Sequence, residues 1–230
     1  MMYLNEYPKQ KEFGKMMNCL KKYLVEFIGT FFLVFTIGSA VLLNGDGVIP
    51  AVAIGLALMI FVYAGGHISG GHYNPAVSLA VTMRGMLPFK HLIPYWIAQF
   101  LGATAAGFTV LGLASQPIES TPCSFGPMAI IIGEFLFTFA LCYVVLLTAT
   151  SARTDGNSYY GLAIGSTLTV GIFAVGGILC YGAFNPAVAV SLGIMQVSCW
   201  GYAFITLGIN LAAAIIAAIV FKMVEIEDEY

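Results

Sequence analysis

Charged residues are scarce in this sequence: only 9% of its 230 residues are Asp, Glu, Lys or Arg, whereas 60% are hydrophobic. A soluble domain of this length needs far more charge to cover its surface, so the composition indicates an integral membrane protein. The net charge is −2, and no basic patch interleaved with aromatic residues is present. We therefore expect no nucleic-acid partner.

Clusters of metal-binding or catalytic side chains are also missing. The five cysteines are dispersed without a Cys-x-x-Cys pair, which argues against a zinc site or a disulfide framework. His67 and His72 share a Gly-rich segment that contains no Cys, Asp or Glu, so a metal site is not expected there. Because no nucleophile–base set stands out either, the sequence does not indicate an enzyme, and no cofactor is predicted.

Apolar runs long enough to cross a hydrocarbon core of about 30 Å are abundant. Six of them are predicted to be transmembrane helices, at about 23–43, 48–66, 92–114, 128–150, 159–179 and 200–221. With six spans both termini share a side, and every Lys and Arg falls on that side. The positive-inside rule then predicts a multi-pass protein with both termini in the cytoplasm. We expect it in the plasma or cell membrane.

One triplet occurs twice in the sequence, as Asn74-Pro75-Ala76 and as Asn185-Pro186-Ala187. Asn is a preferred helix N-cap and Pro fits the first helical position, so each triplet predicts the start of a helix. A Gly-rich segment precedes each triplet, and the helices that follow, 77–84 and about 188–195, cover only about half of the membrane. Two re-entrant half-helices are therefore predicted, between spans two and three and between spans five and six.

The two halves of the sequence repeat a common pattern. Glu26 in the first span recurs as Glu134 in the fourth, and Gln99 in the third recurs as Asn210 in the sixth. Because each half has an odd number of spans, the halves must be inserted in opposite orientations, which places a solute path near the midplane. The chain divides accordingly into an N-terminal tail (1–22), a first repeat (23–115), a connecting loop (116–127), a second, inverted repeat (128–223) and an acidic tail (224–230).

Over about residues 20–223 the sequence resembles the aquaporins, or major intrinsic proteins. The resemblance is carried by the two triplets, the repeated Glu and the segment Gly66-His67-Ile68-Ser69-Gly70-Gly71-His72. It implies an all-α membrane protein, an aquaporin-like right-handed bundle of six transmembrane helices plus two re-entrant half-helices. It further implies a homotetramer embedded in membrane lipid, each protomer being a passive channel for water or small neutral solutes.

The resemblance also implies roles for the central residues. The facing N-termini of the half-helices repel cations, and Asn74 and Asn185 each donate an N–H to a passing water. Glu26 and Glu134 are expected to accept hydrogen bonds from the backbone of the two Gly-rich segments, with a proton relay as the alternative. We expect His67 to brace the first of these segments.

The sequence departs from the family pattern at the outer constriction. An Arg usually follows the second triplet, whereas this chain has Val188. Spacing places further candidates in the same ring, none of them charged: Ile54, Gly182, and either Ile172 or Phe173. We hypothesise a wider, apolar filter that passes glycerol, urea, ammonia or metalloid acids. The alternatives are a strict water channel whose neighbouring residues compensate for the missing Arg, and a structural or junctional membrane protein with a closed pore.

Overall fold

The computed structural model describes residues 6–43, 48–114, 126–179 and 182–225, and over these ranges it consists of helices and short connections. Six helices are long: α1 (Glu6–Gly38), α2 (Val48–Ser69), α4 (Phe89–Leu113), α5 (Pro127–Ala149), α6 (Tyr160–Leu179) and α8 (Trp200–Val224). Two are short: α3 (Pro75–Arg84) and α7 (Pro186–Ile194). A π-helical turn (Ser39–Leu43) extends α1, and a 3-10 turn (Ala152–Thr154) follows α5.

The long helices coincide with the six predicted spans, and the short ones with the predicted half-helices. Five of the described helices are long and apolar enough to cross a membrane, and α6 contributes a shorter apolar stretch, Tyr160–Gly176. Helix α1 already includes Glu6, the first described residue, so much of the segment predicted as a tail is helical. The predicted connecting loop and the acidic tail lie largely outside the described residues.

Equivalent helices pack in equivalent pairs in the two halves. Helix α1 lies against α4 and α5 against α8, whereas α2 and α6 meet across the halves. Glycines bring these last two backbones together, since a Cβ at Gly55 would lie 2.6 Å from the carbonyl oxygen of Gly165. Small residues serve this purpose in membrane bundles, where close packing rather than water exclusion drives helix association.

Each half-helix packs against the last long helix of the other half. Helix α3 contacts α8, and α7 contacts α4. Small side chains allow the approach of α7 to α4: Ser191 Oγ of α7 donates to the Ala103 carbonyl (2.9 Å), and a Cβ at Gly107 would lie 2.6 Å from the same hydroxyl. The half-helices therefore interlock the two repeats.

The outward faces of the long helices are apolar. Large hydrophobic side chains recur there at helical spacing, for example Leu24, Ile28 and Phe32 on α1, Ile93, Ile97 and Leu101 on α4, and Leu162, Val170 and Phe173 on α6. Such faces suit hydrocarbon rather than water, because their side chains are apolar and the backbone polar groups along the middle of each helix bond within the helix.

We predict that Gly165→Ala destabilises the protein by about 1–3 kcal/mol, because the new Cβ would overlap the Gly55 carbonyl oxygen and lie 2.7 Å from Met59 Cβ. Gly208→Ala in α8 is the matched control: its Cβ meets nothing within 4 Å, so the higher helix propensity of Ala should leave stability unchanged or raised. Thermal unfolding of the purified protein in detergent measures both. Equal melting temperatures for the two variants would contradict the close α2–α6 contact.

Candidate functional site

The N-termini of the two half-helices are built in the same way. Asn74 and Asn185 have extended backbone (φ −156° and −159°), and their side-chain oxygens accept from the N–H of Ala76 and Ala187, each at 2.9 Å. Pro follows in the first helical position, where its missing N–H costs nothing. Each Asn-Pro-Ala triplet is thus a capped helix start.

The two caps are joined to each other by a reciprocal pair of hydrogen bonds. Asn74 Nδ2 donates to the Phe184 carbonyl and Asn185 Nδ2 to the Tyr73 carbonyl, both at 2.9 Å. The helix starts therefore meet, although their segments are more than a hundred positions apart in the sequence. Since an amide nitrogen carries two hydrogens, each Asn has donor capacity beyond this bond.

Tyr73 and Phe184, which directly precede the triplets, adopt left-handed backbone with φ +48° in each case. This region is costly for a bulky residue and persists only when its surroundings enforce it. Both side chains are buried: the Tyr73 ring occupies the space left by Gly29 and Gly65, and its hydroxyl donates to the Phe61 carbonyl (2.8 Å). The strained backbone is thus held by packing on one side.

On the other side the first segment is held by the buried carboxylate of Glu26. It accepts four hydrogen bonds, from His72 N (3.0 Å), Tyr73 N (2.7 Å), Ser69 Oγ (2.7 Å) and Gln99 Nε2 (2.8 Å). A carboxylate is costly to bury unless its oxygens are satisfied, and here donors reach both of them.

Glu134 occupies the equivalent position in the second half. Its carboxylate accepts from Ala183 N (2.6 Å), Phe184 N (2.9 Å) and the Tyr202 hydroxyl. The Asn210 amide is oriented by its neighbours so that its nitrogen donates to Glu134 (3.1 Å) and its oxygen accepts from Asn185 N (2.8 Å). The same chemistry therefore supports both strained segments.

The two histidines differ in their surroundings, and His67 does not lie where the sequence-based expectation put it. Helix α2 continues through Gly65 and Gly66 to Ser69, so His67 lies exposed in its last turn and makes no hydrogen bond among the described residues. His72 contacts the buried network instead, with Nδ1 3.1 Å from Ser78 Oγ and its ring 5.2 Å from that of Tyr95. In the described part of the chain no group of three or more His, Cys, Asp or Glu could hold a metal ion.

Several supporting residues were missed by the sequence analysis. Trp96 Nε1 donates to the Pro75 carbonyl (2.9 Å), and the Tyr95 hydroxyl donates to the Ser69 carbonyl (2.6 Å). Neither has a sequence signal. The aromatic residue directly before each triplet, by contrast, is visible as part of the internal repeat.

The residues predicted to form the outer constriction are all apolar, and they contact apolar neighbours. Ile54 and Val188 are buried in the core, and Gly182 has positive φ (39°) with the Phe184 ring where a Cβ would lie. Ile172 packs against the core, whereas Phe173 is 51% exposed and shares the outward face of α6 with Val170. Of the two alternatives on α6, Ile172 therefore faces the interior.

Comparison with known proteins now identifies the family. The family model for the major intrinsic proteins matches residues 13–221. The chain belongs to the major intrinsic protein family. This confirms the resemblance found in the sequence, and it makes the chain a multi-pass integral membrane protein of a channel family.

Individual relatives of this family agree. Aquaporin NIP1-1 of Zea mays is 36% identical over 195 residues, which cover 80% of this chain and 68% of the relative. Aquaporin Z of Brucella melitensis is 42% identical over 171 residues, which cover 66% of this chain and 74% of the relative. The X-ray structure of the aquaglyceroporin from Plasmodium falciparum superposes with a TM-score of 0.72 at 20% identity, covering 90% of this chain and 96% of that one. The predicted all-α, aquaporin-like fold is thereby confirmed.

We predict that Glu134→Gln lowers the free energy of unfolding by about 2 kcal/mol or more. Ala183 N and Phe184 N donate to different oxygens of Glu134, and Gln replaces one of these oxygens by an NH₂ group. One buried N–H group would then face another donor and lose its acceptor. Glu225→Gln, the same exchange at the end of α8 where Glu225 accepts from Ser151, should have a much smaller effect. Thermal unfolding in detergent compares the two. A melting temperature for Glu134→Gln as high as for the control would rule out the supporting role.

Proposed function

We propose that this protein is a passive channel for water and small uncharged solutes, with an outer constriction that is wider and more apolar than that of a strict water channel. The channel proposal rests on the reciprocal hydrogen bonds of Asn74 and Asn185, which join the N-termini of the two half-helices. It rests also on membership of this family. The observation that carries the apolar filter is Val188, buried in the first turn of α7 where the family pattern has Arg.

The centre of the proposed channel excludes charge through its backbone. Two helix N-termini face each other there, and each carries a partial positive charge of about half a unit. Asn74 and Asn185 use one amide hydrogen to hold the opposite segment, and the second is directed in this proposal to the oxygen of a passing solute. Cations are repelled at this point, and neutral solutes with an oxygen acceptor are accepted.

The outer filter is assigned to Ile54, Ile172, Gly182 and Val188. None of these residues offers a charge or a side-chain hydrogen-bond donor, so a solute crossing this ring replaces little of its hydration there. Small neutral solutes, such as glycerol, urea, ammonia or undissociated metalloid acids, lose far less hydration free energy on passing through it than ions do. Ion exclusion then rests on the half-helices and on the cost of dehydration.

A strict water channel is the second candidate. Burial favours it, since Asn74 and Asn185 at the centre are only 3% and 4% exposed and Val188 at the proposed filter is 3% exposed. In that case the side chains packed around Val188 narrow the constriction and so replace the steric effect of the missing Arg.

For the membrane arrangement we propose cytoplasmic termini and a homotetramer surrounded by lipid. Arg84, Arg153 and Lys222, which come from three different parts of the chain, line one pocket and so lie at one end of the bundle. This clustering supports the orientation given by the positive-inside rule. The apolar outward faces supply the surfaces for lipid and for neighbouring protomers.

We predict that Val188→Arg reduces glycerol and urea flux by about tenfold or more while water flux persists, because the side chain narrows the ring and adds a charged donor. Val188→Leu is the matched control: it adds a single carbon without charge, so it should reduce solute flux far less. Stopped-flow light scattering of proteoliposomes under water, glycerol and urea gradients measures all three proteins.

The outcomes separate the candidates. Glycerol or urea flux through the unmodified protein that falls in Val188→Arg supports the wide filter. Water flux without solute flux identifies a strict water channel. If correctly folded protein passes neither, the open channel is wrong and a closed-pore structural protein remains.

A further inference from the structure

A pocket of about 200 Å³ lies where the C-terminal end of α3, the connection after α5 and the C-terminal end of α8 meet. It is lined by Arg84, Ala152, Arg153, Phe221, Lys222 and Glu225. Three of these side chains are cationic and one is anionic, so the pocket carries a net positive charge. It lies at the end of α3 opposite Asn74 and is no part of the proposed solute path.

Arg84 is the main cationic side chain of the pocket. Its guanidinium carbon lies 5.1 Å from the centre of the Phe221 ring, which fixes the group at the wall of the pocket. Its Nε is buried and has no hydrogen-bond partner among the described residues. A buried N–H without an acceptor is costly, so the Arg84 guanidinium is incompletely satisfied within the protein, and Arg84 lines the pocket.

The acidic residue of the pocket is held at the pocket wall by a hydrogen bond from a neutral side chain. Glu225 accepts a hydrogen bond from Ser151 Oγ, which attaches the end of α8 to the connection after α5. Lys222, one turn before it, is exposed on α8. The pocket thus combines a guanidinium and an ammonium group from two different helices.

We propose that this pocket binds the phosphate group of an anionic phosphate ester, with Arg84 and Lys222 as the main ligands. A guanidinium matches two phosphate oxygens at once, and an ammonium adds a point charge. A phosphate group fits the space, since the pocket is several times larger than the volume of about 30 Å³ that a water molecule takes in the liquid.

The surroundings favour a phospholipid headgroup as the source of this phosphate. Ile215 and Ile219 lie seven and three positions before Lys222, on the same face of α8, and both are exposed. A lipid with its headgroup in the pocket can therefore lay an acyl chain along this face. With the proposed cytoplasmic termini, the pocket faces the leaflet in which anionic lipids attract basic residues.

Such a ligand would connect the half-helix to the bundle at the end away from its Asn cap. Arg84 is the last residue of α3 and Lys222 belongs to α8, the helix against which α3 packs. Binding should therefore raise the thermal stability of the protein.

The test uses the full-length protein in a neutral detergent. Binding is measured by the shift in thermal unfolding with increasing concentrations of dioctanoyl phosphatidic acid, of dioctanoyl phosphatidylcholine, and of inorganic phosphate. The variants are Arg84→Gln and Lys222→Gln, and the matched control is Lys90→Gln, which removes an exposed charge that does not line the pocket. Lys222 is exposed, so its variant reports on binding even if Arg84→Gln fails to fold.

We expect phosphatidic acid to stabilise the protein more than phosphatidylcholine, and Lys222→Gln to weaken its binding about fivefold while Lys90→Gln does not. Inorganic phosphate that binds as well as the lipid, with the same sensitivity to Lys222, would support the site and identify its ligand as soluble phosphate. Equal binding of the two lipids, or equal binding by Lys222→Gln and Lys90→Gln, would overturn the proposal. Because solute flux is not measured, these outcomes are independent of the channel's selectivity.

Discussion

The structure depends on how two short stretches of irregular backbone are satisfied inside a membrane-spanning bundle. Non-helical backbone is tolerated at membrane depth only where protein or water meets its polar groups. Here one buried carboxylate in each half, Glu26 or Glu134, accepts from two successive backbone N–H groups. The second of these two donors is in each case the aromatic residue with left-handed backbone, which the carboxylate thereby holds in place. That strain turns the chain so that Asn can cap a helix beginning inside the bundle. The carboxylates thus serve the geometry, and their own hydrogen bonds leave little capacity for a proton relay.

The two halves are also made dependent on each other. Each half-helix packs against the last long helix of the opposite repeat, and each Asn holds the carbonyl that precedes the opposite Asn. Neither helix start can therefore move without disturbing the other, which favours a rigid centre over a mobile one. In a channel this rigidity has a purpose, because donors already in place bind a passing solute without a cost of reorganisation.

Much of this arrangement could be predicted from the sequence, because the signals were local or repeated. Span lengths follow from apolar runs, and helix starts from Asn followed by Pro. The internal repeat makes Gln99 and Asn210 equivalent positions, but their contacts with the two carboxylates are seen only in the structure. The exposed position of His67 could not be predicted, since Gly65 and Gly66 suggested a break where α2 continues. The choice between Ile172 and Phe173 could not be made either, because both are large apolar residues at adjacent positions and neither residue type indicates which one faces inwards. Only packing decides such positions.

The absence of Arg after the second triplet has a consequence for how ions are excluded in the proposed channel. Val188 has an equivalent in Val77, so both half-helices begin with the same apolar side chain after Asn-Pro-Ala, and the chain is more symmetric here than the family pattern. The residues assigned to the outer filter then include no cationic side chain. The barrier to cations must lie at the centre, where the two helix N-termini add their fields, and the barrier to anions must come from dehydration against apolar walls. Selectivity for neutral solutes would thus be a property of the backbone scaffold rather than of one filter side chain.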